Sequence, residues 1–306
     1  MAEPSYAIIA GVNKAGTSSL FVSLSQHPSI APSAIKETRY FSPARYGRPL
    51  EPASVWEEYF AGAPSEAVRL EATPSYVYGS TAVATCINDR LPESKVIVAL
   101  REPVARAISF FEYQKVRLRL PSDMPMAEYL AIADALTPDD FLDPDNEKYM
   151  AFRGGCYAEF LPPWLSTFGT ERVAILGFED IVQEPARQLR DLATFLGIDP
   201  DAFPSEALSS ENRTVGYRNA RMQRMALTVN DRLERLFRKQ PGLERRLRAT
   251  YYRVNGRARA ASVPDSVRAE LAERYDAPNQ RLEQVLRDAG AALPRWLGDA
   301  PDDPRP

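Results

Sequence analysis

The chain has 306 residues, 44% of them hydrophobic, and a formal net charge of −3 at pH 7, which is enough apolar material for an ordinary globular core. The charge argues against a nucleic-acid partner, and the sequence contains no apolar run long enough to predict a transmembrane segment. The N-terminus has no basic region followed by a long apolar run, so we expect a cytoplasmic protein. Cys86 and Cys156 lie far apart, which disfavours both a disulfide framework and a zinc site.

Apolar, β-branched segments alternate with helical patterns along the chain, at 6–10, 67–71, 95–100 and 172–178. This alternation predicts an α/β fold of three layers, with a mostly parallel sheet between helices. We expect a single domain over residues 1–300 and a disordered tail at 301–306. Within the domain we predict a surface insertion at about 122–147, which carries eight acidic residues and no Lys or Arg, and a helical C-terminal part at about 219–297.

The first predicted strand leads into a glycine loop, AGVNKAGTSSL, in which Gly11 and Gly16 bracket the turn and a helical pattern begins at Ser18. Strand, glycine loop and helix are the parts of a phosphate-binding loop, whose backbone N–H groups face an anion. In the nucleoside triphosphate version, G-x-x-x-x-G-K-[ST], a lysine directly follows the second glycine. Here Thr17 has that position and Lys14 lies inside the loop, so the loop is P-loop-like with a displaced lysine.

A second anion site is predicted where the strand at 95–100 ends. Arg101 follows the strand, Pro103 takes the first helical position, and Ser109 lies on the same helix. Because parallel strands end at one edge of a sheet, we expect Arg101 near the glycine loop. A guanidinium and a hydroxyl suit a phosphate monoester, although an arginine after a strand also commonly pairs with a carboxylate such as Glu102.

Together, GVNKAGTSSL and the later strand-Arg-x-Pro with its helix serine resemble the two nucleotide-binding motifs of sulfotransferases that use 3′-phosphoadenosine 5′-phosphosulfate (PAPS). The resemblance implies a loop that holds the 5′-phosphosulfate, a lysine on the bridging oxygen, and a strand-end arginine with a helix serine on the 3′-phosphate. It also implies adenosine 3′,5′-bisphosphate (PAP) as the product and no metal. The nucleotide-binding residues that it implies are Lys14, Ala15, Gly16, Thr17, Ser18, Ser19, Arg101 and Ser109.

The segment ENRTVGYR resembles the late loop that closes over the nucleotide in the same family. This implies Arg213, Tyr217 and Arg218 as further cofactor-binding residues. Structural salt bridging would account for Arg213 equally well, and a structural role is likewise the alternative for Tyr217 and Arg218.

The segment IKETRYFSP, residues 35–43, resembles the K-E-x-x-[FY]-F segment of the glycan branch, where the glutamate is the catalytic base. The resemblance implies Glu37 as the general base, Lys14 as the cation on the leaving group, and Lys36 as a second cation near the transferring group. Taken alone, Glu37 would be a surface carboxylate paired with Lys36 or Arg39. The aromatic residues predicted to line an acceptor cleft are Tyr40, Phe41, Tyr76 and Tyr157.

Other catalytic arrangements have less support in the sequence. The aryl and steroid branch uses a histidine base, but the only histidine here, His27, ends a helix before Pro28, which indicates a structural role. No apolar strand ends in an aspartate that could hold magnesium, and Glu179 and Asp180 are the nearest candidates. A kinase that uses ATP and magnesium is the first alternative, and a non-catalytic nucleotide- or glycan-binding module is the second.

The acceptor is the least defined partner. We expect a hydroxyl, or as a second choice an amine, of a saccharide, a glycolipid or a small natural product. The acidic stretch 122–147 disfavours an anionic polymer, whereas the basic stretch 231–259 favours one, so the two indications conflict. Arginine-rich, lysine-poor composition indicates a bacterial source, and the sequence does not predict an oligomeric state.

Overall fold

The structure is a computed structural model and describes residues 5–204, 216–217, 256–257 and 263–298. Within these ranges the main sheet has five parallel strands in the order β2-β3-β1-β4-β5. The strands are β1 (Tyr6–Gly11), β2 (Ile30–Pro32), β3 (Val68–Ala72), β4 (Lys95–Leu100) and β5 (Val173–Gly177). Parallel strands with intervening helices confirm the predicted α/β fold.

Helices connect and flank the strands, and two further strands, β6 (Gly216–Tyr217) and β7 (Gly256–Arg257), form an antiparallel pair. The helices of the described ranges are α1 (Thr17–Leu24), α2 (Ala53–Glu58), α3 (Ser80–Arg90), α4 (Pro103–Val116), α5 (Met126–Asp134), α6 (Leu161–Phe168), α7 (Phe178–Gln183), α8 (Pro185–Leu196) and α9 (Asp265–Asp288).

Apolar side chains cover both faces of the sheet, because successive residues of a strand point to opposite sides. On one face, Ile9 of β1 and Ile97 of β4 pack in one cluster with Leu24 of α1 and Leu192 of α8. The opposite face packs against the turn after β3 and against α6. Residues that meet there are Val12, Val77, Tyr78, Leu100, Tyr157, Phe160 and Leu161. Burial on both faces explains why these strands are continuously apolar in the sequence.

The chain divides into two compact units. The first consists of Met1–Arg106, Gly154–Asn212 and Ala272–Pro306 and contains the five-stranded sheet; the second consists of Ala107–Arg153 and Arg213–Leu271. The prediction of a single domain over 1–300 therefore stays a prediction.

The acidic stretch 122–147 belongs to the second unit and contains no strand. It forms α5 and short 3₁₀ turns, which bury Met126, Tyr129 and Phe141 while most of the acidic side chains are exposed. The C-terminal helical pattern is confirmed for α9, whose Tyr275, Leu282 and Leu286 are buried. Most of the remaining stretch 219–297 and the tail 301–306 lie outside the described residues.

Three strands are absent from the sequence-based prediction. β2 has only three residues and ends in Pro32, so it lacks the length and alternation by which strands are predicted. β6 and β7 have two residues each, and β7 lies within the stretch predicted to be helical, which corrects that prediction at 256–257. β2 matters for the site, because the chain that leaves it runs along β3 toward Glu37.

His27 fixes the corner between α1 and β2. Its side chain is buried, the Ser29 N–H donates to Nδ1 at 3.1 Å, and Nε2 lies 2.7 Å from the carbonyl oxygen of Asp199. Because Nδ1 accepts a hydrogen bond, the neutral ring carries its proton on Nε2 and donates it to Asp199. Both ring nitrogens are thus used inside the protein, which agrees with the structural role that the sequence indicated.

We expect His27→Ala to lower the free energy of unfolding by about 2 kcal/mol, because it removes two hydrogen bonds and leaves a cavity. Urea denaturation followed by circular dichroism measures the change. Val22→Ala, at an exposed position of the neighbouring helix α1, is the control and should change the free energy by less than about 0.5 kcal/mol. Equal effects of the two substitutions would contradict the structural role of His27.

Candidate active site

The glycine loop between β1 and α1 has two residues in the left-handed region, Lys14 (φ 73°) and Gly16 (φ 75°). Gly16 immediately precedes α1, and a Cβ atom added there would lie 2.8 Å from Cδ2 of Phe178. Both the backbone conformation and the available space therefore require glycine. The first turn of α1 follows at residues 17–19, and its backbone N–H groups have no intrahelical acceptor, as in known anion sites.

The predicted loop residues differ in exposure. Ala15 and Thr17 are buried, Ser18 is exposed, and Lys14 and Ser19 are partly buried. Of the three hydroxyl groups in the first turn of α1, those of Ser18 and Ser19 are therefore the more accessible to a ligand.

Arg101 lies at the carboxyl end of β4 and contacts the glycine loop. Its Nη1 donates to the carbonyl oxygen of Lys14 at 3.0 Å, and its guanidinium carbon lies 4.6 Å from the centre of the Phe178 ring. This confirms the prediction that Arg101 emerges beside the loop. The ring of Phe178 is thus in contact with Arg101 and lies next to Gly16, so it packs against both predicted anion-binding elements.

Glu102, the alternative partner of Arg101, binds the start of α4 instead. Its Oε1 accepts from the Val104 N–H at 2.8 Å and its Oε2 from the Ala105 N–H at 2.6 Å. Such a carboxylate satisfies N–H groups that have no acceptor within the helix. Ser109 lies further along α4 and is partly buried, and its predicted contact with a 3′-phosphate stays a prediction.

Glu37 follows β2 and lies beside the end of β3. Its N–H donates to the carbonyl oxygen of Ala72 at 2.8 Å, and its side chain is 38% exposed. Lys36 Nζ lies 2.9 Å from Oε1 and Arg39 Nη2 lies 3.6 Å from Oε2, so the ion pairs of the surface-carboxylate alternative are present. Burial raises the pKa of the Glu37 carboxyl, but the charges and hydrogen bonds of Lys36 and Arg39 outweigh burial and hold the pKa below its ordinary value.

Lys14 of the glycine loop interacts electrostatically with Lys36 and Glu37. Burial, followed by the charge of Arg101, lowers the pKa of the Lys14 ammonium to about 8, while the charge of Glu37 opposes this shift and that of Lys36 adds to it. At pH 7 about nine-tenths of Lys14 is therefore protonated. Three cations and one carboxylate thus share one electrostatic site, where β1, β3 and β4 end.

A family model described as a sulfotransferase domain matches residues 4–245 of the chain. The chain belongs to the sulfotransferase domain family. This confirms the family to which the two motifs were assigned from the sequence.

Two curated relatives illustrate the similarity. The chain is 26% identical to bifunctional heparan sulfate N-deacetylase/N-sulfotransferase 4 of Mus musculus over 212 residues, which are 66% of this chain and 23% of that protein. It is 31% identical to heparan sulfate glucosamine 3-O-sulfotransferase 3B1 of Mus musculus over 192 residues, which are 63% of this chain and 46% of that protein. The chain therefore spans half or less of the length of these two relatives.

A solved structure supports the fold. The crystal structure of a sulfotransferase from Alicyclobacillus acidocaldarius is similar with a TM-score of 0.58 and 26% sequence identity. The similarity covers 78% of this chain and 95% of that one. The α/β fold of this chain is thus shared with a solved sulfotransferase.

The four aromatic residues predicted to line an acceptor cleft are buried in the domain. Their exposed fractions are 3% for Tyr40, 0% for Phe41, 1% for Tyr76 and 2% for Tyr157. The hydroxyl of Tyr76 accepts from the Phe41 N–H at 3.1 Å, and that of Tyr157 donates to the carbonyl oxygen of Arg101 at 2.7 Å. Their role at an acceptor cleft stays a prediction. In the structure the hydroxyls of Tyr76 and Tyr157 bind loop backbone from inside the domain.

Two residues of the site have no role in the sequence-based prediction. Phe178 begins α7 directly after β5, and a phenylalanine at a strand end gives no signal of its contact with Arg101. Glu71 is fully buried at the end of β3, and burial raises the pKa of its carboxyl to about 7. The sequence does contain a signal for Glu71, because a carboxylate inside an apolar strand needs hydrogen-bond donors when it is buried.

Several further predictions are not tested by the described part of the chain. Arg213 and Arg218 lie outside it, and Tyr217 is described only as backbone of β6. In the described ranges no helix has the length and hydropathy to cross a membrane. No group of three or more His, Cys, Asp or Glu side chains in those ranges could hold a metal ion, and a metal-independent reaction stays a prediction.

The two left-handed glycines of the first 50 residues provide a matched test of the loop. Gly47 (φ 63°) has open space where a Cβ would be added, whereas Gly16 faces Phe178. We expect Gly47→Ala to cost about 1 kcal/mol of unfolding free energy from conformation alone. Gly16→Ala should cost at least about 1 kcal/mol more, because the ring of Phe178 must move. Equal costs in urea denaturation would contradict the close contact.

Proposed function

We propose that this sulfotransferase domain transfers a sulfuryl group from PAPS to an acceptor hydroxyl, or as a second choice to an amine, and releases PAP. The observation that carries the proposal is the shared electrostatic site of Lys14, Lys36, Glu37 and Arg101 at one edge of the sheet. Its cations suit an anionic donor, and its carboxylate suits an acceptor that must lose a proton.

The residues around the glycine loop fit the donor. The backbone N–H groups and hydroxyls at 15–19 would hold the 5′-phosphosulfate, and Gly16 leaves no side chain in the way. Arg101 and Ser109 would hold the 3′-phosphate, with Arg213, Tyr217 and Arg218 as further contacts. When bound, the donor supplies an activated sulfuryl group, and the residues of this chain orient it and balance its charge.

Lys14 has the role of an electrophile. Its ammonium group would stabilise the negative charge that develops on the leaving oxygen, and the low-dielectric surroundings that lower its pKa also strengthen this interaction. Lys36, which pairs with Glu37, would be a second cation near the transferring group.

Glu37 has the role of general base. Its lowered pKa keeps the carboxyl ionised at neutral pH, so it can accept a proton. Oε1 is held by Lys36, whereas the pair of Oε2 with Arg39 is long and Arg39 is 61% exposed. Exposed pairs of this kind contribute little free energy, so Oε2 can exchange Arg39 for the acceptor hydroxyl.

We propose a saccharide as the first acceptor class, with a glycolipid or a small natural product next. The curated relatives named as heparan sulfate enzymes support a saccharide. Cytoplasmic location and a bacterial source remain predictions from the sequence.

Glu37→Gln tests the proposal. With radiolabelled PAPS and a panel of saccharides, glycolipids and small alcohols, we expect the variant to lose at least about 100-fold in kcat on the acceptor that the wild type sulfates best. The midpoint shift induced by PAP should be retained. Glu58→Gln, at an exposed carboxylate of α2, is the control.

A Glu37→Gln variant with about a third or more of the wild-type rate would contradict the assignment of the base, since a positioned base contributes far more than this. If the wild type sulfates no member of the panel although it binds PAP, the non-catalytic binding module becomes the better account.

The pKa of Lys14 predicts an alkaline limit of activity. A lysine with a pKa of about 8 is a cation below that pH and neutral above it. We expect kcat/KM for PAPS to fall about tenfold per pH unit above pH 8 as the cation is lost. Lys14→Arg, which stays charged, should lower the rate but remove this decline. A wild-type profile that is flat up to pH 10 would contradict the role of Lys14.

A further inference from the structure

A buried carboxylate lies beneath the segment that carries Glu37. Glu71 has no exposed surface, and its Oε1 accepts three hydrogen bonds, from the Thr38 N–H at 3.2 Å, the Thr38 hydroxyl at 3.0 Å and the Thr73 hydroxyl at 2.5 Å. Its Oε2 has no hydrogen-bond partner among the described residues. Three donors on one oxygen mean that the carboxyl is anchored toward residues 37–39.

The end of β3 binds three successive backbone N–H groups of this segment. The N–H of residue 37 donates to the carbonyl oxygen of Ala72 at 2.8 Å. The N–H of residue 38 donates to Oε1 of Glu71 at 3.2 Å, and that of residue 39 donates to the hydroxyl oxygen of Thr73 at 3.2 Å. The Thr73 hydroxyl donates its own hydrogen to Glu71, which leaves its oxygen oriented to accept. Two of the three acceptors therefore depend on the Glu71 carboxyl.

These bonds hold an unfavourable backbone conformation. Glu37 (φ 63°) and Arg39 (φ 56°) both lie in the left-handed region, which residues with a Cβ atom avoid. Such conformations persist when the surrounding structure determines them by several bonds at once. Without the acceptors at the end of β3, residues 37–39 would relax to ordinary conformations and the carboxylate of Glu37 would point elsewhere.

Glu71 does not itself take the proton of the acceptor. Its raised pKa would match a base at neutral pH better than that of Glu37 does. However, the side chain is fully buried and Oε1 is already bonded to three donors, so the group has no surface that an acceptor could touch. Its effect on the reaction can only pass through the residues that it binds.

We propose that Glu71 is a positioning residue that fixes residues 37–39, through Thr38 and Thr73, in the conformation that brings the Glu37 carboxylate into the site of Lys14. The proposal rests on the function proposed above for Glu37. It adds a second glutamate to the site, with a role that requires a hydrogen-bond acceptor at Oε1 and no negative charge.

Two substitutions separate the acceptor from the charge. Glu71→Gln keeps a carbonyl oxygen for the three donors and should retain kcat within about threefold. Glu71→Leu keeps a similar size without an acceptor and should lose kcat about 100-fold, the effect of a misplaced catalytic group. In both variants, KM for PAPS and the midpoint shift with PAP should change less than about twofold. The reason is that the hydrogen bonds of Glu71 go to Thr38 and Thr73 and not to the glycine loop.

Hydrogen–deuterium exchange gives a measurement that needs no acceptor. The peptide that covers residues 37–39 should exchange faster in Glu71→Leu than in the wild type, because two of its three N–H groups lose their acceptors. In Glu71→Gln the exchange should stay close to that of the wild type. All three proteins are measured as the full chain, with and without PAP.

Thr38→Val is a milder variant that keeps the Thr38 N–H bond and removes only the hydroxyl. We expect a loss of about tenfold in kcat, and little further loss when it is combined with Glu71→Leu, because coupled residues act non-additively. Thr194→Val is the matched control, since the Thr194 hydroxyl donates to its own helix at the Arg190 carbonyl oxygen. It should leave kcat unchanged.

The outcomes distinguish this proposal from the proposed function. If Glu37→Gln is inactive while Glu71→Leu keeps its kcat, the positioning role is overturned and the base assignment stands. If Glu71→Gln loses as much kcat as Glu71→Leu, the charge matters and the positioning role is also overturned. Should Glu71→Leu fail to fold, wild-type kcat in Thr38→Val would overturn it. An active Glu37→Gln would overturn the assignment of Glu37 as the base, and this proposal with it, while sulfuryl transfer as the proposed function would stand.

Discussion

The site depends on holding like charges together at one edge of a parallel sheet. β1, β3 and β4 are neighbours, and Lys14 and Arg101 lie in the loops that follow β1 and β4. Residues 36–39 follow β2 and lie against the end of β3. Burial and the charge of Arg101 both disfavour the protonated form of Lys14, and Glu37 offsets only part of this. An anion bound there would relieve the repulsion, so the electrostatics of these side chains favour an anionic ligand.

Backbone conformations that L-residues avoid occur on both sides of this site. Lys14, Glu37 and Arg39 all have positive φ, and each backbone is held by a hydrogen bond to a residue of another segment. Arg101 binds the carbonyl oxygen of Lys14, and the end of β3 binds the segment of Glu37. The sheet is rigid, and a few specific hydrogen bonds from residues at its edge fix the backbone conformations of the two loops.

The sequence predicted those parts of the fold and site that depend on local pattern. Apolar runs located β1, β3, β4 and β5, and the displaced Lys14 with Arg101 after β4 indicated the family that the comparisons confirm. β2 was too short for a pattern. The burial of Tyr76 and Tyr157 and the contacts of Phe178 and Glu71 could not be predicted, because they arise from packing between segments distant in the sequence.

The most direct test of the account is a thermal-shift comparison of the purified protein with PAP and with ATP plus magnesium at equal concentration. A ligand at about 100 times its dissociation constant stabilises the native state by roughly 2.7 kcal/mol, which moves the midpoint by several degrees. The account predicts a shift with PAP that persists in a chelator and is reduced by Arg101→Ala but not by substitution of the exposed Arg187. A response to ATP plus magnesium and none to PAP would contradict it and favour a kinase.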